Sequence, residues 1–404
     1  MPDPLKDKEI VVGVCGGIAA YKAADFLRVL VKSGAHTRVI MTKAPRAFVG
    51  PVTFQALSGR PVWTHMFEGR QDGAFKHIKW AEEADAAVVI PATANIIGKM
   101  AHGIADDPLT TLALALKAPL LVCPSMNVRM YENAVVLDNI KRLRQAGIHI
   151  VDPDIGSLAC GDQGVGRLPR VEIIAERLRC AVSPQDLAGE NVLVTAGPTQ
   201  EPMDSVRFIT NPSSGKMGYA LARCARRRGA KVVLISGPTA LADPDGVAII
   251  RVQTAQEMFD AVMAHADQNT LIVKAAAVSD WRPAGVFQHK LKKAEMPQPL
   301  FLEKTADILQ ALGERKKGQI LVGFAAETQD LQKNARAKLA AKNLDMIVAN
   351  PVGHSDSGFG SDLNQVELFY TDGRTEAIPL MDKGALADVL LDRVLEIKKA
   401  LQAS

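Results

Sequence analysis

Short unbroken runs of Val, Ile and Leu alternate with segments whose apolar residues recur every three to four positions, and the alternation runs through the chain twice. Such runs read as strands buried on both faces, and the periodic segments as amphipathic helices. In the first half the pattern predicts strands at 9–15, 36–41, 86–90, 120–123 and 148–151. It predicts helices at 18–31, 96–102, 109–116, 135–145 and 171–180. The order implies a parallel sheet covered on both sides. Residues 154–169, with Gly156, Gly161, Gly164 and Gly166 and little periodicity, read as a long loop. Loops of that length in compact domains usually serve function. The stretch 181–190, containing Pro184 and Gly189, is the expected boundary between domains of 1–190 and 191–404.

Asn191 restarts the pattern. Strands are predicted at 191–196, 231–236, 271–276, 320–325 and 346–350, and helices near 215–228, 255–265, 305–312 and 330–341. A hairpin around Asp372-Gly373 and a closing helix complete the chain. The fold class is therefore α/β, two doubly wound parallel-sheet domains, with ligands expected beyond the carboxyl ends of the strands.

Composition changes this picture little. The 404 residues are 48% hydrophobic and 23% charged, and the net charge of +4 gives no case for nucleic acid. The longest apolar run, 112–126, is interrupted by Lys117, Pro119 and Pro124, so no membrane span is expected. Cys15, Cys123, Cys160, Cys180 and Cys224 are odd in number and widely spaced, which argues against disulfides and a zinc site and fits the cytoplasm. Arg226-Arg-Arg228 sits where cations close a helix.

Chemistry concentrates after the strands. Asn211-Pro-Ser-Ser-Gly-Lys-Met-Gly218 lies between a strand and a helix, where free N–H groups, hydroxyls and the helix N-terminus suit an anion, most often a phosphate. Thr210 and Met217 rule out a P-loop, and a serine-rich helix cap is the plainer alternative. In the first half, Gly16-Gly17 forms a glycine turn, Pro91-Ala-Thr-Ala-Asn95 supplies Thr93 and Asn95, and Pro124-Ser-Met-Asn127 supplies Met126 and Asn127. His77 is one of eight histidines, and Cys160 alone among the thiols lies in the glycine-rich segment. In the second half, Lys274-Ala-Ala-Ala-Val-Ser-Asp280 ends a strand in small residues that admit a nucleotide. Asp280 suits Mg²⁺, a hard cation that takes oxygen ligands. His289-Lys-Leu-Lys-Lys293 is a basic loop, and Lys338 and Lys342 share one helix face.

The segments Gly16-Gly-Ile-Ala-Ala-Tyr-Lys22, His77-Ile78, Pro91 to Asn95, Pro124-x-Met-Asn-x-x-Met130 and Gly156-Ser-x-x-Cys-Gly161 resemble the flavin-dependent cysteine decarboxylases. Gly197-Pro-Thr and Asn211-x-Ser-Ser-Gly-Lys-Met-Gly218 resemble phosphopantothenate–cysteine ligase. Together, from about residue 8 to 400, the chain is similar to the bacterial bifunctional proteins of coenzyme A biosynthesis, with Trp281 where many relatives carry Tyr.

The resemblance implies a flavodoxin-like first domain that binds FMN between subunits of a homo-oligomer, and a Rossmann-like second domain. It implies ligation of cysteine to 4′-phosphopantothenate through an acyl-cytidylate made from CTP with Mg²⁺, then decarboxylation of the product. His77 would be the base or orienting group, Asn127 the grip on the carboxylate and Cys160 the proton donor. Gly16, Gly17, Thr93, Asn95 and Met126 would contact the flavin. Lys274, Ala275, Ala276 and Asp280 would meet CTP, as would Thr305, Ala306, Asp307 and Ile308, and also Phe324, Lys338 and Lys342. Lys290 would serve activation and Asn211 the attack by cysteine, with Ser213, Ser214 and Gly215 on the pantothenate phosphate. Two other readings compete. One is a flavin- or nucleotide-binding regulatory subunit without turnover. The other is an NAD-linked oxidoreductase, disfavoured because neither half carries G-x-G-x-x-G with a following acid.

Overall fold

The computed structural model describes residues 3–66, 75–159, 161–292, 299–327, 330–351 and 360–403. It divides into two compact units, Pro2–Ser183 and Pro184–Ser404.

The first unit runs β1 (Glu9–Val14), α1 (Ala20–Lys32), β2 (His36–Met41), α2 (Pro51–Ser58), α3 (Lys76–Glu83), β3 (Ala86–Ala92), α4 (Ala94–Ala101) and α5 (Pro108–Ala115). It continues with β4 (Leu120–Pro124), α6 (Val128–Tyr131), α7 (Ala134–Gln145), β5 (His149–Ile150), β6 (Asp154–Ser157), β7 (Gln163–Arg167) and α8 (Val171–Val182). Five strands form a parallel sheet in the order β2-β1-β3-β4-β5. The strands are apolar throughout because alternate residues enter different cores. Ile10, Val12 and Val14 pack with Phe26, Leu27 and Leu30 of α1 and Ile174 and Leu178 of α8. Val11 packs on the other side with Leu109 and Leu112 of α5 and Ile140 and Leu143 of α7. The strand order reverses between β1 and β3, and a crevice outside their carboxyl ends is where such sheets take ligands.

One expectation is corrected. Residues 154–169 are not a loop, because β6 and β7 pair antiparallel as a hairpin. Its glycines hid it: with few side chains there is no alternation to read. Gly166 (φ 138°) lies so close to Met126 that a Cβ would come within 2.2 Å of the Met126 carbonyl oxygen.

The second unit begins β8 (Asn191–Ala196), β9 (Gln200–Pro202), β10 (Phe208–Thr210), α9 (Lys216–Arg227), β11 (Lys231–Ser236), β12 (Ala248–Arg251), α10 (Ala255–His265) and β13 (Leu271–Lys274). There follow β14 (Trp281–Pro283), β15 (Leu302–Lys304), α11 (Ile308–Arg315), β16 (Ile320–Glu327), α12 (Leu331–Ala341), β17 (Met346–Pro351), β18 (Leu363–Tyr370), β19 (Thr375–Asp382) and α13 (Lys383–Ala403). The main sheet has the order β12-β11-β8-β13-β16-β17-β18-β19. It is parallel through β17 and antiparallel beyond, so the predicted C-terminal hairpin extends the sheet. α9 and α13 cover one face, with Tyr219, Leu221, Leu386 and Leu390 in its core. α10, α11 and α12 cover the other, with Met258, Leu309, Leu312 and Leu339. The order reverses between β8 and β13, the second place where a ligand crevice is expected. The short strands β9, β10, β12, β14 and β15 lack apolar runs long enough to be predicted.

Arg228, at the end of α9, is buried and paired with Asp186 (2.7 Å) and Asp392 (2.8 Å), so it joins loop, helix and C-terminal helix. Among the described residues no helix is long and apolar enough to cross a membrane.

Candidate functional site

Outside the carboxyl ends of β8, β13, β16 and β17 lies a cavity of about 640 Å³. The 211–218 loop forms one wall, with Asn211, Ser213, Ser214 and Gly215 all facing it. Glycine is required here twice. Gly215 takes φ 75°, and a Cβ on it would meet Thr239 Cγ2 at 2.7 Å. At Gly218 a Cβ would come within 2.5 Å of Ala196 Cβ, so α9 rests directly on β8. α9 then opens without a side-chain cap, and an anion on this loop meets the positive end of the helix. Asn211 is already engaged: its Nδ2 donates to Ala277 O (3.2 Å) and Val278 O (3.1 Å). The side chain clamps the anion loop to the loop after β13 and leaves Oδ1 to other partners.

The other walls hold every sequence-predicted nucleotide residue but one. Lys274, Ala275, Ala276 and Asp280 line the cavity from the end of β13. Thr305, Ala306, Asp307 and Ile308 line it from the start of α11, and Phe324, Lys338 and Lys342 complete it. Some of these groups hold the site itself. Thr305 Oγ1 donates to Ser279 O (2.6 Å). Asp307 caps α11 through Gln310 N (3.0 Å) and pairs with Lys342 Nζ (2.7 Å). Burial pushes the Asp307 carboxyl up, but the hydrogen bond from Lys342 and the Gln310 N–H hold it below its ordinary value. Lys290 is the exception. It is exposed and does not line the cavity, on a loop held at its base by Leu291 N donating to Asp204 Oδ2 (3.3 Å).

Among the described residues no group of three or more His, Cys, Asp or Glu is arranged to hold a metal. Asp280 alone still suits Mg²⁺, which takes one or two carboxylates and fills its remaining positions with water and nucleotide phosphates.

In the first unit the sequence-predicted residues sit at the carboxyl ends of adjacent strands. Gly16 and Gly17 follow β1; a Cβ on Gly16 would meet Ala44 Cβ at 2.5 Å, while at Gly17 (φ 149°) the space is open. α1 begins beside them with no side-chain cap. Thr93 caps α4 through Ile96 N (3.4 Å), and Asn95 lies in its first turn. The open space at Gly17 and the uncapped start of α1 fit the phosphate of a flavin nucleotide. Asn127 caps α6 through Arg129 N (2.9 Å), and its Nδ2 donates to Asp162 Oδ2 (2.8 Å). Met126 N donates to Gly166 O (3.1 Å). The β6–β7 hairpin is thus stitched to the Met126-Asn127 corner. Cys160 lies outside the described residues; Leu158 N donates to Asp162 O (2.9 Å) on either side of it. His77, partly buried, is in the first turn of α3, which Trp80 fixes edge-on to buried Trp63 (5.3 Å between rings). Cys15 and Cys123 are fully buried, and burial pushes both thiols up, which suits packing and not chemistry.

Residues 1–182 match the family described as flavoprotein, and residues 187–397 match the DNA/pantothenate metabolism flavoprotein C-terminal domain. The chain is 48% identical over 399 residues to the coenzyme A biosynthesis bifunctional protein CoaBC of Bacillus subtilis, covering 98% of both chains. The chain belongs to the bifunctional coenzyme A biosynthesis protein family. The Escherichia coli K12 member is 43% identical over 396 residues, 97% of each chain. A crystal structure of the C-terminal domain of one such protein aligns with 54% of this chain and 99% of its own, at 42% identity and a TM-score of 0.47.

In this member of the family the cavity also holds residues that sequence reasoning missed: Lys216, Lys304, Asn350, Asn364 and Lys383. Lys216 was within reach, since it lies inside the anion-loop motif. Asn350 and Lys383 were not, because only the strand order brings residues after 346 to the cavity. Among the described residues the buried Asn350 Oδ1 has no hydrogen-bond partner.

Electrostatics give one testable consequence. Burial and the neighbouring Lys342 ammonium pull Lys274 down to about 8. Its positive charge is present below that value and lost above it. The kcat/KM for a nucleotide triphosphate should therefore fall from about pH 7 to about pH 9, and Lys274→Met should remove that limb. A profile unchanged by the substitution would assign the limb to another group.

Proposed function

We propose that this chain makes 4′-phosphopantetheine in two steps. The domain at 191–404 ligates cysteine to 4′-phosphopantothenate through an acyl-cytidylate drawn from CTP, and the domain at 1–190 decarboxylates the product. The observation that carries the reading is the 640 Å³ cavity, where an anion loop and the lysines of β13 and α12 line one space. A carboxylate and a triphosphate are both anions, so their reaction needs cations from the protein. Lys274, Lys338 and Lys342 offset the triphosphate, and Asp280 would hold Mg²⁺, which would supply further positive charge against the phosphates. Ser213, Ser214 and Gly215 take the pantothenate phosphate. Lys290 must come in from its exposed loop as the acyl-cytidylate forms. Asn211 holds the acyl group for attack by the cysteine amine.

The crevice of the first domain would hold FMN through Gly16, Gly17, Thr93, Asn95 and Met126. Bound FMN supplies the electron acceptance and return that let an otherwise unactivated carboxylate leave as CO₂. His77 removes or orients the proton on the substrate, Asn127 grips the carboxylate and Cys160 returns a proton at the end. Assembly as a cytoplasmic homo-oligomer, with the flavin between subunits, completes the reading. The ligase product is the decarboxylase substrate, a chemical reason to join the two on one chain. A binding subunit without turnover has no observation in its favour.

The test is one preparation of the full chain. It should be yellow with non-covalent FMN and should convert 4′-phosphopantothenate and cysteine with CTP and Mg²⁺ far better than with ATP. A colourless protein that takes up no FMN, or equal use of ATP in competition, would overturn the corresponding half of the reading.

A further inference from the structure

Asn127 carries the amide that would grip the substrate carboxylate, and in the structure that amide is held from two sides. Its Oδ1 accepts from Arg129 N (2.9 Å), which caps α6, and its Nδ2 donates to Asp162 Oδ2 (2.8 Å). The two partners are of opposite kind. A backbone N–H can only donate and a carboxylate can only accept, so a flipped amide would lose both bonds and set oxygen against oxygen. Asp162 is itself fixed. It stands at the tip of the β6–β7 hairpin, where its carbonyl accepts from Leu158 N (2.9 Å) and Gly161 N donates to Leu158 O (2.9 Å). Beside it, Gln163 Nε2 donates to Ser157 Oγ (2.7 Å) and closes the hairpin. β7 in turn lies flat on residues 126–128: a Cβ on Gly164 would come within 2.6 Å of Val128 Cγ2, and one on Gly166 within 2.2 Å of Met126 O. A hairpin seated this closely carries the Asp162 carboxylate to an amide 35 positions away in the sequence.

We propose that Asp162 is a positioning residue for the decarboxylase: it sets the plane of the Asn127 amide, and so the direction in which Asn127 meets the carboxylate of 4′-phosphopantothenoylcysteine. The proposal rests on Asn127 meeting that carboxylate. The cap bond from Arg129 N gives the amide one anchor, about which its NH₂ group can swing, and the bond to Asp162 gives it a second. A carboxylate suits the task because it has no hydrogen to offer, so it cannot take the place of Arg129 N on Oδ1. Its contribution is geometric. A hydrogen bond weakens steeply away from linearity, so an amide that swings would meet the substrate with a poorer bond. An amide ordered before the substrate arrives also spares the cost of ordering it on binding. Only a ligand that bears a carboxylate at this position gains from the arrangement, and the decarboxylated product does not.

The test uses the full chain loaded with FMN and two analogues that have no thiol to oxidise: 4′-phosphopantothenoylserine, and the same compound without its carboxylate. Titration of each against the flavin absorbance reads binding at the decarboxylase site without turnover. Asp162→Ala should weaken the carboxylate-bearing analogue by roughly ten- to a hundredfold, the range for a charge-assisted contact, and leave the other analogue unchanged. Asp162→Asn should stay within about threefold of wild type, because its Oδ1 can accept from Asn127 Nδ2 in the same place. Asn127→Ala should lose the same preference, and adding Asp162→Ala to it should change nothing further. Equal weakening of both analogues by Asp162→Ala would show the aspartate to be structural and would overturn the proposal. So would an Asp162→Asn variant as weak as Asp162→Ala, or one tighter than wild type for the carboxylate, since either would make charge and not geometry the cause. Loss of preference in Asn127→Ala but not in Asp162→Ala would sink the positioning role alone. A preference that survives Asn127→Ala would sink the assignment of Asn127, and the proposal with it.

Discussion

Lys290→Gln should cut pyrophosphate release from CTP by about two to three decades, whereas Asn211→Asp should release pyrophosphate and accumulate acyl-cytidylate. Lys290 stands exposed outside the cavity, so a charge at this position does nothing for the resting site. It matters only if its loop brings it to the phosphates as negative charge builds there. A contact made only in the transition state lowers kcat and kcat/KM together. The loop is anchored through the backbone of Leu291 to Asp204, and the Lys290→Gln variant would keep that anchor. Asn211 is different. Its amide clamps the loop after β13 through Ala277 O and Val278 O, and a carboxylate there would lose both donors and face two carbonyls. Lys274, Lys338 and Lys342 would remain to support activation. The loosened wall is the one that must hold the acyl group for cysteine. Product analysis with CTP and 4′-phosphopantothenate, with and without cysteine, decides the matter. If both variants stop before pyrophosphate appears, the two residues share one step and the assigned division is wrong.

What the sequence made legible follows from the kind of signal each element carries. The central strands of both main sheets announced themselves because they are buried on both faces, so Val88, Val89 and Ile90 leave no polar position to confuse the reading. The anion loop was legible because Gly215 and Gly218 answer to local geometry, a left-handed turn and a helix resting on a strand. The hairpin at 154–167 was not, since Gly156, Gly164 and Gly166 supply no alternation and its reason for existing is contact with Met126 and Asn127, far away in sequence. The same limit hid Lys383 and Asn350, whose place in the cavity is set by strand order. It also concealed how much of the site is occupied with holding itself together. Sequence marks Asn211, Thr305 and Asp307 as ligand-facing, yet each already makes a hydrogen bond or ion pair to its neighbours. Preorganisation of that kind is what lets a polar group serve in binding without first being ordered by the ligand.

Cys160→Ser should leave CO₂ release able to occur once per site while production of 4′-phosphopantetheine falls by about two to four decades, the usual reach of general acid catalysis. In the proposed role the thiol would be required only at the last step, when the enethiolate left after CO₂ departs must gain a proton and electrons together. A serine hydroxyl is a far weaker acid than a thiol, so the hydrogen-poorer enethiol should remain bound, and the visible absorbance of the cofactor should stay bleached. The β6–β7 hairpin is fastened by Asn127 Nδ2 to Asp162 Oδ2 (2.8 Å) and by Met126 N to Gly166 O (3.1 Å). Neither bond is made by residue 160 itself, and substrate grip and the first half of the reaction should survive the exchange of sulfur for oxygen. Gly166→Ala is the complementary case, because its Cβ would run into the Met126 carbonyl and lift the return strand. That variant should lose CO₂ release itself, while ligation by the other domain continues. Mass analysis of the bound product and trapped CO₂ separates the two outcomes. Unimpaired turnover in Cys160→Ser would show the hairpin thiol to be incidental, and the proton would have to come from His77 or from water.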